Sequence, residues 1–387
     1  MSQTAPPRLR DIFLVFFKFG LTGFGGPAMI TVIRELTVNR HRWVDEATFQ
    51  DGLVLAQSVP GATAMQTAAY VGLARRGVPG ALCAYVGLGL PAFFLMLALS
   101  AFYAKTQSID WMLALMRGLS VVVVALLGYA AWTFARISCR EPRGLLVALA
   151  SGTALGLDVN PFLVILGAAV AGLFLYRDRE PADAPKPLGD ALAKGVRQAL
   201  PLLGLLGLAM AATWLYDPGL FALCRLMLGI NCVSFSGGFS ALPIMYHLIV
   251  DVAGQMSGKM FMDGIALGQI TPGPISITST FLGYMLYGLV GAAAATIAMF
   301  APSFLILVTV APSFAALKGS RRFFRASLAI TASFVGLLGY VTAMFATEAQ
   351  WSPAAVVLAA VSLVALWRRA EVPYVVGFAA LYSLVAL

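Results

Sequence analysis

Apolar runs of roughly 20 residues, the length a helix needs to cross a bilayer, follow one another from Asp11 to Leu387, broken only by short polar or basic stretches. The pattern predicts an all-α polytopic membrane protein. Helices are expected at about 12–37, 46–75, 79–103, 111–135, 144–157 and 160–176 in the first half. The second half predicts them at about 198–216, 219–250, 259–287, 290–312, 326–346, 351–367 and 372–386, for about 13 transmembrane segments in all. Arg8 and Arg10 precede the first run as in a signal peptide, but that run is longer than an ordinary apolar signal core and continues into charged sequence. It is read as the first membrane helix.

The polar punctuation repeats. At an offset of 212, Gly25, Gly26, Phe49, Asp51, Gly52, Leu55, Gln57, Pro60 and Gly61 land on Gly237, Gly238, Phe261, Asp263, Gly264, Leu267, Gln269, Pro272 and Gly273. At an offset of 211, Gly72, Gly77, Gly80, Ala81, Pro91 and Phe93 map to Gly283, Gly288, Gly291, Ala292, Pro302 and Phe304. Shared apolar composition does not produce Asp-Gly-x-x-Leu-x-Gln-x-x-Pro-Gly twice. The chain therefore divides into a first repeat at 1–180, a cytoplasmic Pro-rich linker at 181–197 and a second repeat at 198–387.

Composition narrows the class. The chain has 387 residues, 60% of them hydrophobic and 11% charged, with a mean hydropathy of +0.87, which excludes a water-soluble enzyme. The net charge of +9 comes from basic residues in short loops, so it reads as the positive-inside bias and not as a nucleic-acid surface. Cys83, Cys139, Cys224 and Cys232 lack metal-site spacing, and no hydrolase, metalloprotease or Walker motif is found. No enzyme activity, metal or cofactor is expected.

Equivalent loops carry opposite charge bias: Arg75-Arg76 against Leu286-Tyr287, Arg136 to Arg143 against Thr347-Glu348, and the segment near Lys105 against Lys318 to Arg325. Opposite bias predicts an inverted repeat, with the N-terminus cytoplasmic and the C-terminus periplasmic. Arg34, Arg40 and Arg42 then fall on the external side. Re-entrant hairpins at 46–75 and 259–287 remove that conflict but force an even count between Arg197 and Asp251, so crossing broken helices and re-entrant hairpins both stand.

Pro60-Gly61 and Pro272-Gly273 are the focus of the chemistry. Proline lacks an N–H and glycine leaves helical geometry readily, so each pair breaks a helix within the membrane. A half-helix starting after the break aims N–H groups and a positive dipole end at a cavity, which suits an anion. Thr63, Gln66 and Thr67 in one half, and Ser276, Thr278 and Ser279 in the other, add neutral donors, with Gln57 and Gln269 just before the breaks. The alternative is a kinked helix whose hydroxyls bond back to their own backbone. The pairs Gly25-Gly26 and Gly237-Gly238 permit either close helix packing or close approach to a substrate. Among ionisable residues within apolar runs, Asp51 and Asp263 are repeat partners, as are Glu35 and His247; these are coupling candidates. Lys18, Arg34 and Arg225 could attract an anion or anchor at the interface.

The run Phe24-Gly25-Gly26-Pro27, the second-half Phe235-Ser236-Gly237-Gly238 with Leu242-Pro243, and the two Gln-x-x-Pro-Gly segments resemble the chromate ion transporter (CHR) family in its long two-domain form, over nearly the whole chain. Ser236 stands where that family would carry another glycine. The resemblance implies a bacterial inner-membrane transporter that exports chromate and confers resistance, with sulfate as a related oxyanion. A cation-coupled sulfate importer on the same scaffold is the alternative. The partners implied are chromate, sulfate, the lipid bilayer and a second copy of the chain as a homodimer.

Overall fold

A computed structural model of the chain describes residues 6–23, 27–180, 189–234, 238–368 and 370–387. Gly25, Gly26 and Gly237 and the linker residues 181–188 lie outside the described residues. Every regular element described is helical, as the apolar pattern predicts. The first half carries α1 (Leu9–Gly20), α2 (Pro27–Arg34), α3 (Glu46–Ser58), α4 (Thr63–Thr106), α5 (Asp110–Ser138), α6 (Pro142–Gly156) and α7 (Pro161–Leu175). Then come α8 (Gly189–Tyr216), α9 (Pro218–Val233), α10 (Ala241–Tyr246), α11 (Gly258–Ile270), α12 (Thr278–Val310), α13 (Phe314–Lys318), α14 (Arg321–Glu348), α15 (Pro353–Trp367) and α16 (Val372–Ala386).

The repeat seen in the letters recurs in the backbone. Glu35–Arg40 and His247–Val252, partners at the 212 offset, are both π-helical. They end alike: His41 N–H donates to the Leu36 carbonyl and Ala253 N–H to that of Leu248. Further on, Arg76 and Gly77 leave helical geometry at φ −140° and +61°, and Tyr287 and Gly288 do so at −137° and +62°. Two stretches of different sequence adopting one irregular backbone share a common local fold.

Several expected helices divide. The span at 12–37 divides between Gly20 and Pro27 and that at 219–250 between Val233 and Ala241, and α8 begins at Gly189, so the last part of the expected linker is helical. The span at 46–75 divides at Pro60-Gly61 into α3 and the first arm of α4. A Cβ on Gly52 would lie 2.2 Å from the Tyr70 ring, whereas 18 residues of straight helix would separate the two by about 27 Å. The chain therefore folds back at the break, and 46–75 is a helical hairpin, the shape that the re-entrant reading requires. A second reversal follows at Arg76-Gly77, where Gly72 and Gly80 face one another so closely that a Cβ on either would lie 2.2–2.3 Å from the other's carbonyl oxygen. Gly283 and Gly291 repeat that contact at 2.2 Å.

Glycine at these crossings lets two backbones approach where any side chain would wedge them apart. Replacing Gly72 or Gly283 with alanine is expected to destabilise the fold by about 1–3 kcal/mol, the usual cost of overpacking. Gly77→Asn meets nothing within 4 Å of its Cβ, but at φ +61°, ψ −155°, a region essentially reserved for glycine, it should cost about 1–3 kcal/mol through backbone strain alone. Thermal unfolding of the detergent-solubilised variants tests both.

Two compact units result, and each draws on both halves of the sequence. One comprises Met1–Leu97, Pro181–Gly238 and Thr271–Ser320; the other comprises Ala98–Glu180, Phe239–Ile270 and Arg321–Leu387. In the first, α1 lies against α4, with the Leu88 carbonyl 2.6 Å from where a Gly20 Cβ would be, and α12 packs on α8 and α9. In the second, α14 packs on α5, α6 and α7, with α15 and α16 on α5. Gly152 and Gly336 mark the close crossing of α6 and α14.

Basic loops gather at one end of this second unit. Arg143 pairs with Asp178, Arg179 with Glu141, and Arg321 with Glu180 at 3.0 Å. The Arg143 guanidinium holds the exposed Asp178 carboxyl below the usual carboxylate range. The start of α14 thus sits at the same end as the loop after α5.

Among the described residues, five helices are long and apolar enough to cross a membrane: Thr63–Thr106, Asp110–Ser138, Gly189–Tyr216, Ile275–Ser313 and Arg321–Glu348. The first and fourth contain the reversals just described. The helices α6, α7, α15 and α16 have 15 residues each, about 22 Å at 1.5 Å per residue, which is short of a full hydrocarbon core.

Candidate functional site

The two Pro-Gly breaks are the tips around which the first unit is built. After α3, Val59 turns extended, Pro60 withholds its N–H, and Gly61 takes φ +127°. After α11 the same chemistry sets Gly273 at φ +121°. Both dihedrals lie where only glycine is comfortable.

Each tip is seated on the long arm of the opposite half. A Cβ on Gly61 would lie 2.3 Å from Ser303 Cβ in α12, and one on Gly273 would lie 2.8 Å from Ala92 Cβ in α4. Ala92 and Ser303 are themselves partners at the 211 offset, so the two contacts are one contact made twice. The backbone follows suit. Gly61 N–H donates to the Ser234 carbonyl at 2.5 Å, and Gly273 N–H to the Gly23 carbonyl at 2.9 Å. Gly238, at φ +95°, lies over the second tip, where its Cβ would sit 2.4 Å from Ser276 Oγ. Gly23 and Ser234, which flank the Gly-Gly pairs picked out from sequence, and Gly238, a member of the second pair, thus meet the Pro-Gly tips.

Around the first tip lies a buried polar cluster. Gln66 Nε2 donates to the Pro60 carbonyl at 2.6 Å and to that of Ser303 at 3.3 Å. Ser303 N–H donates to Asn231 Oδ1 at 2.8 Å. The Tyr85 hydroxyl donates to the Phe300 carbonyl at 3.0 Å and lies 2.7 Å from Ser303 Oγ. Close in sequence to the tips, the buried Gln66 Oε1 and Ser279 Oγ have no hydrogen-bond partner among the described residues.

These bonds correct part of the sequence reading. Gly61 and Gly273 do not offer free N–H groups, because backbone carbonyls of the adjoining loops take them. Thr67 and Thr278 donate back to the carbonyls of Thr63 and Ile275, each at 2.8 Å, and Gln66 clamps the tip. The physical reason is general: with no water in hydrocarbon, groups freed by a break find protein partners first. What stays directed at the tips is the first turn of each following helix. Residues 63–65 have no intrahelical acceptor for their N–H groups; Ser276 stands at the equivalent place in the second half, and Ser279, the partner of Thr67 at the 212 offset, about one turn further on.

Other candidates lie apart from the tips. Gln57 is exposed and Gln269 half-buried; Lys18, Asp51 and Arg225 are exposed. Arg34 is committed to Glu46, with Nε at 3.0 and 2.8 Å from its two oxygens. Glu35 accepts from Asn39, while its partner His247 places Nδ1 3.6 Å from Asp251. Asp263 belongs to the second unit and is fully buried. It accepts from the Tyr103 hydroxyl at 2.7 Å and from Ser120 Oγ at 3.4 Å, with Lys259 Nζ at 3.5 Å. Its repeat partner Asp51 has no such shell. Ser303, Tyr85, Asn231 and Tyr103 were not singled out from sequence; for Ser303 the signal was there, since Pro302-Ser303 repeats Pro91-Ala92.

Comparison with known proteins follows the same division into halves. A family model described as chromate transporter matches residues 10–173 and again 221–384. An uncharacterized transporter of Methanocaldococcus jannaschii is 37% identical over 95% of this chain and 92% of its own length. A chromate transport protein of Cupriavidus metallidurans is 29% identical over 99% of this chain and 95% of its own. A protein described as a probable chromate transport protein in Synechococcus elongatus is 28% identical over 79% and 76%. No solved structure matches the chain significantly.

Proposed function

Because the chain belongs to the chromate transporter family, we propose that it exports chromate across the bacterial inner membrane as a secondary transporter, conferring resistance. The observation that carries this reading is the reciprocal seating of the two Pro-Gly tips on opposite halves. It supports one site, formed by both repeats, in which two half-helix starts converge. Chromate is a tetrahedral dianion, and N–H and O–H donors arranged on several sides suit it. Thr63, the N–H groups of its turn, Ser276 and Ser279 are the proposed donors, with Gln66, Pro60, Gly61, Pro272, Gly273 and Gly238 shaping the tips.

The tip residues include no lysine or arginine. A neutral donor set binds a dianion without holding it too tightly to release, and the membrane supplies the drive. Moving two negative charges out of a cell that is negative inside releases about 4.6 kcal/mol per 100 mV, enough for roughly a thousandfold outward gradient. Access alternates around the paired tips, to which repeats 1–180 and 198–387 contribute alike, inserted upside down relative to each other around a cytoplasmic linker. The inversion is supported by the basic loops of both repeats at one end of the second unit; the charge bias of the loops along the sequence reads the N-terminus as cytoplasmic and the C-terminus as periplasmic.

The test is uptake of radiolabelled chromate into everted inner-membrane vesicles with an imposed lumen-positive potential. Uptake should rise with the potential and be lowered by excess sulfate if the site reads tetrahedral dianions. Thr63→Val and Ser276→Val, each deleting one donor to a charged ligand, should slow initial uptake about tenfold or more. Potential-independent uptake, or uptake untouched by both substitutions, would overturn the reading.

A further inference from the structure

The first unit also holds a groove that the tips leave unused. It has a volume of about 430 Å³ and a lining that is almost wholly apolar. One wall is α8, and its floor includes Met65 and Ile277, which lie in the first turns after the two tips. α8 itself is an apolar helix of 28 residues with little of its surface covered by protein. In a bilayer this groove meets acyl chains, and its volume falls within the range that holds apolar ligands of moderate size.

A second cleft of about 450 Å³ opens at the N-terminal end of the same helix, lined by Asp190, Ala193, Lys194, Arg197 and Gln198. Two cations against one carboxylate leave it with a net positive charge. Lys194, Gln198, Leu202, Leu205 and Ala209 follow the 4-4-3-4 spacing that puts residues on one helical face. The basic cleft and the groove are therefore continuous along one stripe of α8. From Lys194 to Leu202 the helix rises about 12 Å, and to Ala209 about 22 Å, a span that takes a phospholipid from phosphate through most of an acyl chain.

We propose that this stripe is a binding site for an anionic phospholipid, with the headgroup phosphate on Lys194 and Arg197 and an acyl chain in the groove beneath both tips. The basic end distinguishes this occupant from the ordinary annular lipid that any apolar wall attracts. Arginine matches phosphate oxygens through paired N–H groups, and Gln198 adds a neutral donor beside them. The chain in the groove packs against Met65 and Ile277, so the bound lipid is placed to stiffen the starts of both half-helices.

Native mass spectrometry of the purified full chain, after exchange into equal phosphatidylglycerol and phosphatidylcholine, tests this without reference to transport. The expected result is retention of phosphatidylglycerol in preference to phosphatidylcholine, one molecule per chain. The K194Q/R197Q double variant should retain about tenfold less of it. Ala209→Trp, which fills the groove, should lose it as well. The charge variant lies on an exposed helix end and keeps the apolar packing, so it remains decisive if the tryptophan variant fails to fold. Equal retention of both lipids, no retained lipid, or a dimer that Ala209→Trp dissociates would each overturn the proposal, the last by giving the groove to a second copy of the chain.

Discussion

Alanine at Gly61 is expected to be strongly destabilising. Two independent effects coincide there. Its φ of +127° lies outside the comfortable range of an L-residue, a strain of about 1–3 kcal/mol. The added Cβ would sit 2.3 Å from Ser303 Cβ, and overpacking against an ordered side-chain root costs about another 1–3 kcal/mol. Tryptophan fluorescence during thermal denaturation in detergent should report a large fall in midpoint, and chromate uptake should vanish with it. Gly273→Ala meets the Ala92 methyl at 2.8 Å, so it should suffer the same strain with a milder clash. Ser303→Gly combined with Gly61→Ala separates the two effects. The pair should recover the steric part and leave the backbone part, a coupling of about 1–3 kcal/mol between contacting sites. An unchanged midpoint for Gly61→Ala would show that the tip does not rest on α12.

The second large effect distinguishes two residues that the repeat makes equivalent. Asp263→Ala removes the acceptor of the 2.7 Å bond from Tyr103 in a buried setting, at about 1.5–3 kcal/mol for a hydrogen bond to a charged group. Lys259 loses little, because it is about half exposed and water takes over its solvation. Asp51→Ala alters an exposed side chain and should fall within about 0.5 kcal/mol of the parent. Asp263→Asn, which keeps an oxygen in place for Tyr103, should restore most of the loss. Parallel unfolding curves for the three variants decide the matter; equal losses for Asp51→Ala and Asp263→Ala would contradict the asymmetry between the repeats.

That asymmetry shows where sequence reasoning reached and where it stopped. The breaks at Pro60-Gly61 and Pro272-Gly273 were legible because proline and glycine act on their own backbone, whatever surrounds them. The repeat was legible because the same backbone needs the same small residues twice. The fold-back at 46–75 was not, since both a crossing and a hairpin bury an equally apolar helix, and the contact that decides it joins Gly52 to Tyr70. The acceptors of the two tip glycines were likewise hidden: Ser234 and Gly23 are distant in sequence and contribute only a carbonyl, which every residue has. The difference between Asp51 and Asp263 had a trace, because the 211-residue offset sets Phe314 where the first half has Tyr103, and a phenyl ring cannot donate to a carboxylate.

The sharing of each compact unit between both halves sets the order in which the protein can be made. The first unit ends with Ser320 and the second with Leu387, so neither closes while the ribosome is still within the first repeat. Until α12 emerges, Gly61 has no Ser303 to rest on, and α4 waits in the bilayer with its tip unseated. Assembly is therefore late and close to all-or-none, and a chain cut short before residue 320 should be met by quality-control proteases as an unfinished membrane protein.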